Sequence, residues 1–159
     1  MTVAWRLIPK RHQTEAFSGE GARIAAGRWN ARGVRAVYLS DSLSLAALEI
    51  LLYGGRAALS LPLAAFRVEI ADESAIDTLA LEKLPSNWRQ QPPPESTRRL
   101  GSEWIARGVC LPASPGKTGA GLALRVPSVL IPESCNLVLN PAHPGFSKIK
   151  ISKPQILRF

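Results

Sequence analysis

Apolar and polar positions fall into short blocks whose spacing changes along the chain. VAWRLI (Val3–Ile8) has the branched and aromatic make-up of a strand and stops before Pro9. Phe17–Gly33 carries Gly19, Gly21, Gly27 and Gly33, which predicts a loop with tight backbone turns. AVYLS (Ala36–Ser40) is a second short strand. Ser40–Asp41–Ser42 then offers N-cap oxygens for a helix from Leu43 to Tyr53, closed by Gly54–Gly55. AFRVEI (Ala65–Ile70) alternates apolar and charged residues, the period of a half-exposed strand.

Asp72–Glu95 reads as irregular, with Pro85 and the triplet Pro92–Pro94. The 64 residues beyond it make too small a core to stand alone, so this stretch is expected to be an internal loop rather than a linker. Ser96–Arg107 predicts a helix with Leu100, Trp104 and Ile105 on its apolar face. Short strands are expected at Val109–Leu111, Ala123–Val126, Val129–Ile131 and Leu137–Leu139. The tail, Ile149–Phe159, sets Ile149, Ile151, Ile156 and Leu157 beside Lys148, Lys150 and Lys153. Two helices placed irregularly among short strands indicate an α+β fold rather than a parallel βαβ repeat, in a single domain spanning 1–159.

Composition narrows the class. With 46% hydrophobic and 20% charged residues, wholesale disorder is excluded. Cys110 and Cys135 lack the close Cys/His pairing of a zinc knuckle, so no metal is expected, and cysteines this sparse suit a reducing cytoplasm. Arg6, Lys10 and Arg11 interrupt the start before a signal-peptide core can form. The longest apolar stretch, Leu45–Tyr53, is broken by Glu49 and is far shorter than the ~20 residues of a membrane span. The expectation is a cytoplasmic protein without a membrane association.

Charge adds a direction. The net +8 divides into +4 over residues 1–60, −1 over 61–110 and +5 over 111–159. Basic ends around a neutral middle predict a positive field where the ends meet, which attracts phosphates on nucleic acid or on a small dinucleotide. A solubility surface accounts for the same balance.

Glu49 is the most informative single residue. It is the only charge in LSLAALEILLY, a helix apolar almost all round. An unpaired buried carboxylate is costly, so Glu49 must meet a cation, take a proton, face a wet cleft, or share a narrow solvated stripe with Ser42. The second candidate is Gly27–Arg28–Trp29–Asn30. A glycine-rich loop can bring the Arg28 fork up to phosphate, although neither GxGxxG nor a Walker A motif is present. The bland reading is a surface arginine beside a core tryptophan. Tyr38 can stack on a flat ring or fill a half-buried core position. His12 and His143 have no nucleophilic partner and read as structural.

Taken together, these residues resemble the RES-domain family, the toxins of RES–Xre toxin–antitoxin pairs. The resemblance runs through Trp5–Arg6–Leu7, FSGEGARIAAGRWN (Phe17–Asn30), VYLSDSLSLAALEIL (Val37–Leu51) and RVPSVLIPESCNLVLNPAHPGF (Arg125–Phe146). Ala26 departs from it, standing where the family often has a further glycine. The family's namesake Arg, Glu and Ser fall on Arg28, Glu49 and Ser128, with Ser134 a nearby alternative. Arg6 and Tyr38 also fall on site positions, and Asn140 is a weaker carry-over.

The resemblance implies an ADP-ribosyltransferase-like fold, with a mixed, mainly antiparallel sheet and flanking helices around an NAD cleft. It implies cleavage of the nicotinamide–ribose bond by hydrolysis, by phosphorolysis with inorganic phosphate as co-substrate, or by ADP-ribosylation of a protein. It also implies an Xre-type antitoxin partner that carries the DNA contacts, so that this chain need not touch DNA. The rival is a basic nucleic-acid-binding module without enzymatic activity. The charge favours it, but no helix-turn-helix, RNP-like or zinc-finger pattern is present.

Overall fold

The structure is a computed structural model that describes residues 1–110 and 121–159. Its centre is a mixed, mainly antiparallel sheet built from β1 (Thr2–Pro9), β2 (Val37–Ser40), β3 (Leu63–Ile70), β4 (Ile76–Thr78), β5 (Ala123–Pro127), β6 (Cys135–Leu139), β7 (Lys150–Ile151) and β8 (Gln155–Leu157). The order is β4-β5-β6-β2-β1-β3-β7, with β8 also pairing β3. Only the β4–β5 pair is parallel. The longer helices are α1 (Glu20–Ala25), α2 (Leu43–Ser60) and α3 (Glu95–Cys110), so the class is α+β as expected. Both basic ends flank β3, with β1 paired along its whole length and β7 and β8 pairing its other side.

Several elements differ from the sequence pattern for identifiable reasons. The glycine-rich loop contains α1, which starts after Gly19 in the left-handed region (φ 76°). Glycine there permits the entry turn that lets EGARIA wind up. Gly54–Gly55 closes the first part of α2 as expected: Gly55 (φ 65°, ψ −174°) is not helical, and a second short helix through Ala57, Ala58 and Leu59 resumes across the kink and runs to Ser60. At that length α2 reaches the hydropathy of a membrane-crossing helix, a mean of 1.3 over 18 residues. It packs on the sheet through Leu45 and Ala46, leaving Leu48, Leu51 and Leu52 exposed.

The middle stretch is less irregular than its prolines suggest, because β4 forms within it and pairs with β5. Residues 109 and 110 are the last turn of α3 rather than a strand, and Leu111 lies outside the described residues. Val129–Ile131 is a turn: Ser134 N donates to Ile131 O at 2.9 Å and Ser128 N to Ser134 O at 3.0 Å. β3 is not half-exposed. Neighbours on both edges and packing on both faces leave only Arg67 and Glu69 partly open.

The core continues across the sheet. Val37, Leu39, Leu137 and Leu139 pack with Ala4, Val68 and Leu122 in one cluster. Trp29, Trp104, Ile105, Val126 and Val138 form a second, which fixes α3 and the Gly27–Asn30 turn against β5 and β6. Burying a side chain such as Val37 or Leu39 contributes about 1.5–3 kcal/mol. This packing positions the central β2–β6 pair from which the site is built.

Candidate active site

The site begins with a turn. Gly27 and Asn30 close a tight bridge, with Gly27 N donating to Asn30 O at 3.2 Å. Asn30 is fully buried and holds the loop from within. Its Nδ2 donates to the carbonyls of Ala22, Ala31 and Val34, and its Oδ1 accepts from Gly27 N and from the Tyr38 hydroxyl. Tyr38 Oη in turn accepts from Trp29 N at 3.0 Å. A Cβ on Gly27 would lie 2.5 Å from Tyr38 Oη, so only glycine permits this approach. The Tyr38 phenol is thus engaged with the turn. Desolvation pushes its pKa well above the ordinary value and keeps it protonated.

The turn projects Arg28 inward, where it is 8% exposed. Its Nη1 donates to Trp88 O at 2.7 Å and Gln90 O at 2.9 Å, carbonyls of the proline-rich middle. Its Nη2 is buried and has no hydrogen-bond partner among the described residues. A buried donor left unpaired costs about 1–3 kcal/mol, which marks a place prepared for an acceptor.

The carboxylate of α2 lines the same cavity as Arg28. Glu49 Oε1 accepts from Asn136 Nδ2 at 2.6 Å and from Ser128 Oγ at 3.2 Å. Oε2 makes no hydrogen bond, and Glu49 no ion pair, among the described residues. Of the outcomes open to this residue, the structure shows Glu49 facing a cleft, with no cation paired to it among the described residues. Ser128 is fully buried, and its Oγ also accepts from Leu130 N and Ile131 N, which directs its single proton towards Glu49. Ser134 offers only its backbone here, as the acceptor of Ser128 N.

Arg6, Arg28, Tyr38 and Glu49 line one cavity of about 520 Å³, with Trp5, Trp29, Ile50 and Tyr53 among its apolar walls. That volume is in the range of small-molecule and cofactor sites. Arg6 is already held: its Nε donates to Ala16 O and its Nη1 to Tyr38 O, both at 2.9 Å. Desolvation lowers its pKa to about 10, so it stays cationic at neutral pH. Ser128 stands behind Glu49 rather than in the lining.

Asn140 lies elsewhere. It is fully buried, donates to Ile105 O at 3.1 Å, and accepts from Ala142 N, tying the end of β6 to α3. The cavity does not include it. His143 caps the turn at Gly145, and Lys148, Lys150 and Lys153 are exposed.

Two residues of the lining were not singled out from the sequence. Asn136 is the second residue of β6, and only cross-strand pairing reveals what it faces. Arg98 of α3 supplies a third guanidinium and donates through Nε to Gly27 O at 3.2 Å. Its signal was a pair of arginines ahead of the apolar face of Ser96–Arg107. Among the described residues, no three His, Cys, Asp or Glu side chains cluster. The arrangement can bind an anionic group at Arg28, hold a flat ring against Tyr38 and Tyr53, and set a fixed anion beside a developing cation.

Comparison with known proteins places this geometry in context. The RES domain profile matches residues 3–159. Toxin Res of Yersinia enterocolitica is 36% identical, over 99% of this chain and 95% of the relative. Toxin Res of Photorhabdus laumondii is 34% identical, over 92% and 86%. A protein of Sphingobium named Prs ADP-ribosylating toxin is 33% identical, over 96% and 90%. With the profile spanning nearly its whole length and relatives aligned over almost all of theirs, the chain belongs to the RES-domain family.

Proposed function

We propose that this chain is a cytoplasmic toxin that consumes NAD by breaking the nicotinamide–ribose bond, and that the 520 Å³ cavity holds the dinucleotide in an ADP-ribosyltransferase-like manner. The observation that carries the reading is the pairing, in one cavity, of a buried guanidinium nitrogen with no partner among the described residues and a carboxylate anchored there through a single oxygen. The relatives named as toxins, one of them ADP-ribosylating, support it.

In this reading Arg28 Nη2 donates to the pyrophosphate, and Arg6 and Arg98 add positive potential around it. The nicotinamide ring lies against Tyr38. The pyridinium is already cationic, so the C–N electron pair leaves with it as neutral nicotinamide, and positive charge appears on the ribose. Glu49, fixed by Ser128, stabilises that oxocarbenium-like centre. Water completes the reaction to ADP-ribose and a proton, and inorganic phosphate gives the 1-phosphorylated sugar. No step calls on a metal. An Xre-type antitoxin is the partner expected to hold the activity in check.

The Sphingobium relative's name favours a third acceptor beside water and phosphate, a protein side chain, which would make the chain an ADP-ribosyltransferase. Purified protein incubated with NAD, with and without phosphate and with bacterial protein acceptors, separates the three outcomes. Nicotinamide release is expected in at least one arm. NAD left intact in every arm contradicts the reading.

A further inference from the structure

Glu49 is oriented from two sides. Ser128 is one; the other is a chain of polar contacts running across the sheet. Ser40 and Asn136 are register partners on β2 and β6. Ser40 Oγ donates to Asn136 Oδ1 at 2.9 Å, and Asn136 Nδ2 donates to Glu49 Oε1 at 2.6 Å. A hydroxyl donor beside the amide oxygen fixes which end of Asn136 faces the carboxylate. Ser40 is 7% exposed, so water is largely excluded from this contact. The 2.6 Å contact is the shorter of the two on Oε1, and both leave Oε2 of this cavity-lining residue without a hydrogen bond among the described residues.

We infer that Asn136, aligned by Ser40, is a positioning residue that holds Glu49 Oε1 so that Oε2 meets the ribose cation. This rests on the NAD-cleaving reading above. It concerns when the carboxylate matters: a hydrogen bond that keeps Oε2 in place acts on the transition state, where the positive charge appears, more than on bound NAD. Removing it therefore lowers kcat and leaves KM nearly alone.

The other ionisable groups in the cavity lining are Arg6 of β1, Arg28 of the Gly27–Asn30 turn, Arg98 of α3, Tyr38 of β2 and Tyr53 of α2. Next to Asn136, Asp41 accepts from Cys135 N at 2.8 Å, and the Cys135 thiol is half-buried. Glu49 is the one carboxylate in the lining. Asn136→Asp would set a second carboxyl against it, and two carboxyls at that distance share one proton. With one proton shared, the aspartyl O–H can replace the amide donor. Once that proton is lost, repulsion drives Glu49 out of place.

The test measures nicotinamide release across pH for wild type, Asn136→Ala, Asn136→Asp and Ser40→Ala. Asn136→Ala is expected to lose about 10- to 100-fold in kcat with KM within about twofold, the size expected for a lost charge-assisted hydrogen bond. Asn136→Asp is expected to gain a descending limb on the alkaline side that wild type lacks. Ser40→Ala is expected to lose several-fold in kcat, and it keeps the idea testable if Asn136→Ala fails to fold. Variants with wild-type kcat, or an Asn136→Asp profile that is only scaled down, overturn the inference alone. Wild-type protein that releases no nicotinamide overturns the reading beneath it as well.

Discussion

The Tyr38 hydroxyl donates to Asn30 Oδ1 at 2.7 Å, joining β2 to the residue that holds the Gly27–Asn30 turn together. This contact makes Tyr38 a structural member of the turn as well as a wall of the cavity. Tyr38→Phe keeps the ring but orphans Trp29 N and one acceptor of Asn30. It is expected to cost about 1–3 kcal/mol of stability and to lower activity, because Arg28 lies inside the turn being loosened. Thermal or urea unfolding beside NAD turnover checks this. Unchanged stability would mean that the ring alone matters.

Gly27 and Gly101 are among the glycines fixed by close approach. A Cβ on Gly27 would meet Tyr38 Oη at 2.5 Å, and one on Gly101 of α3 would lie 2.7 Å from the Trp29 carbonyl carbon. Gly27→Ala and Gly101→Ala are each expected to destabilise by about 1–3 kcal/mol or more, as overpacking against rigid neighbours does. Gly21→Ala, whose Cβ meets nothing within 4 Å, is the control and should gain slightly from helix propensity. Unfolding midpoints of the three variants decide it.

Ala26 has φ 53° and ψ 148°, a conformation that glycine adopts freely and alanine does not. Ala26→Gly is expected to raise stability by about 1 kcal/mol, less the entropy that glycine loses on folding, with the cavity unchanged. A lower melting temperature would show that the strain lies elsewhere.

Burial pushes the Tyr38 phenol above its ordinary value, so the folded state keeps a proton that the unfolded state releases. That contribution is complete below about pH 10 and declines as pH rises beyond it. Arg6, pulled down to about 10 by desolvation, works the other way over the alkaline range, because its folded form sheds a proton sooner. Tyr53→Phe leaves Tyr38 as the sole tyrosine. In that variant, tyrosinate absorbance is expected to appear only as the circular dichroism of the fold is lost. Ionisation ahead of unfolding would show the phenol to be open to solvent.

What could be read from the sequence depended on how local the cause was. Strands with their own period and the lone charge in α2 are local features, and β1, β2 and the position of Glu49 followed from them. The Gly54–Gly55 pair marked the break at Gly55, but the short helix that resumes beyond it was not legible, because a stop and a kink carry the same local signal. β4 was missed because it is three residues long and exists by virtue of β5, nearly fifty residues away. Asn136 was missed for a similar reason: its partners Ser40 and Glu49 lie 96 and 87 residues away, and only the β2–β6 register joins them. Asn140 carried the same residue type four positions on, where strand alternation alone would give it the same face, but it lies just beyond β6 and donates to Ile105 O of α3 instead.

Nicotinamide release from NAD by wild-type protein and by Glu49→Gln, compared at equal folded concentration, tests the central claim most directly. Glutamine keeps the size of the side chain and removes the anion. The account predicts release by wild type and a loss of about 100-fold or more in the variant, the scale of removing a fixed electrostatic stabiliser. Equal rates for the two proteins would contradict it.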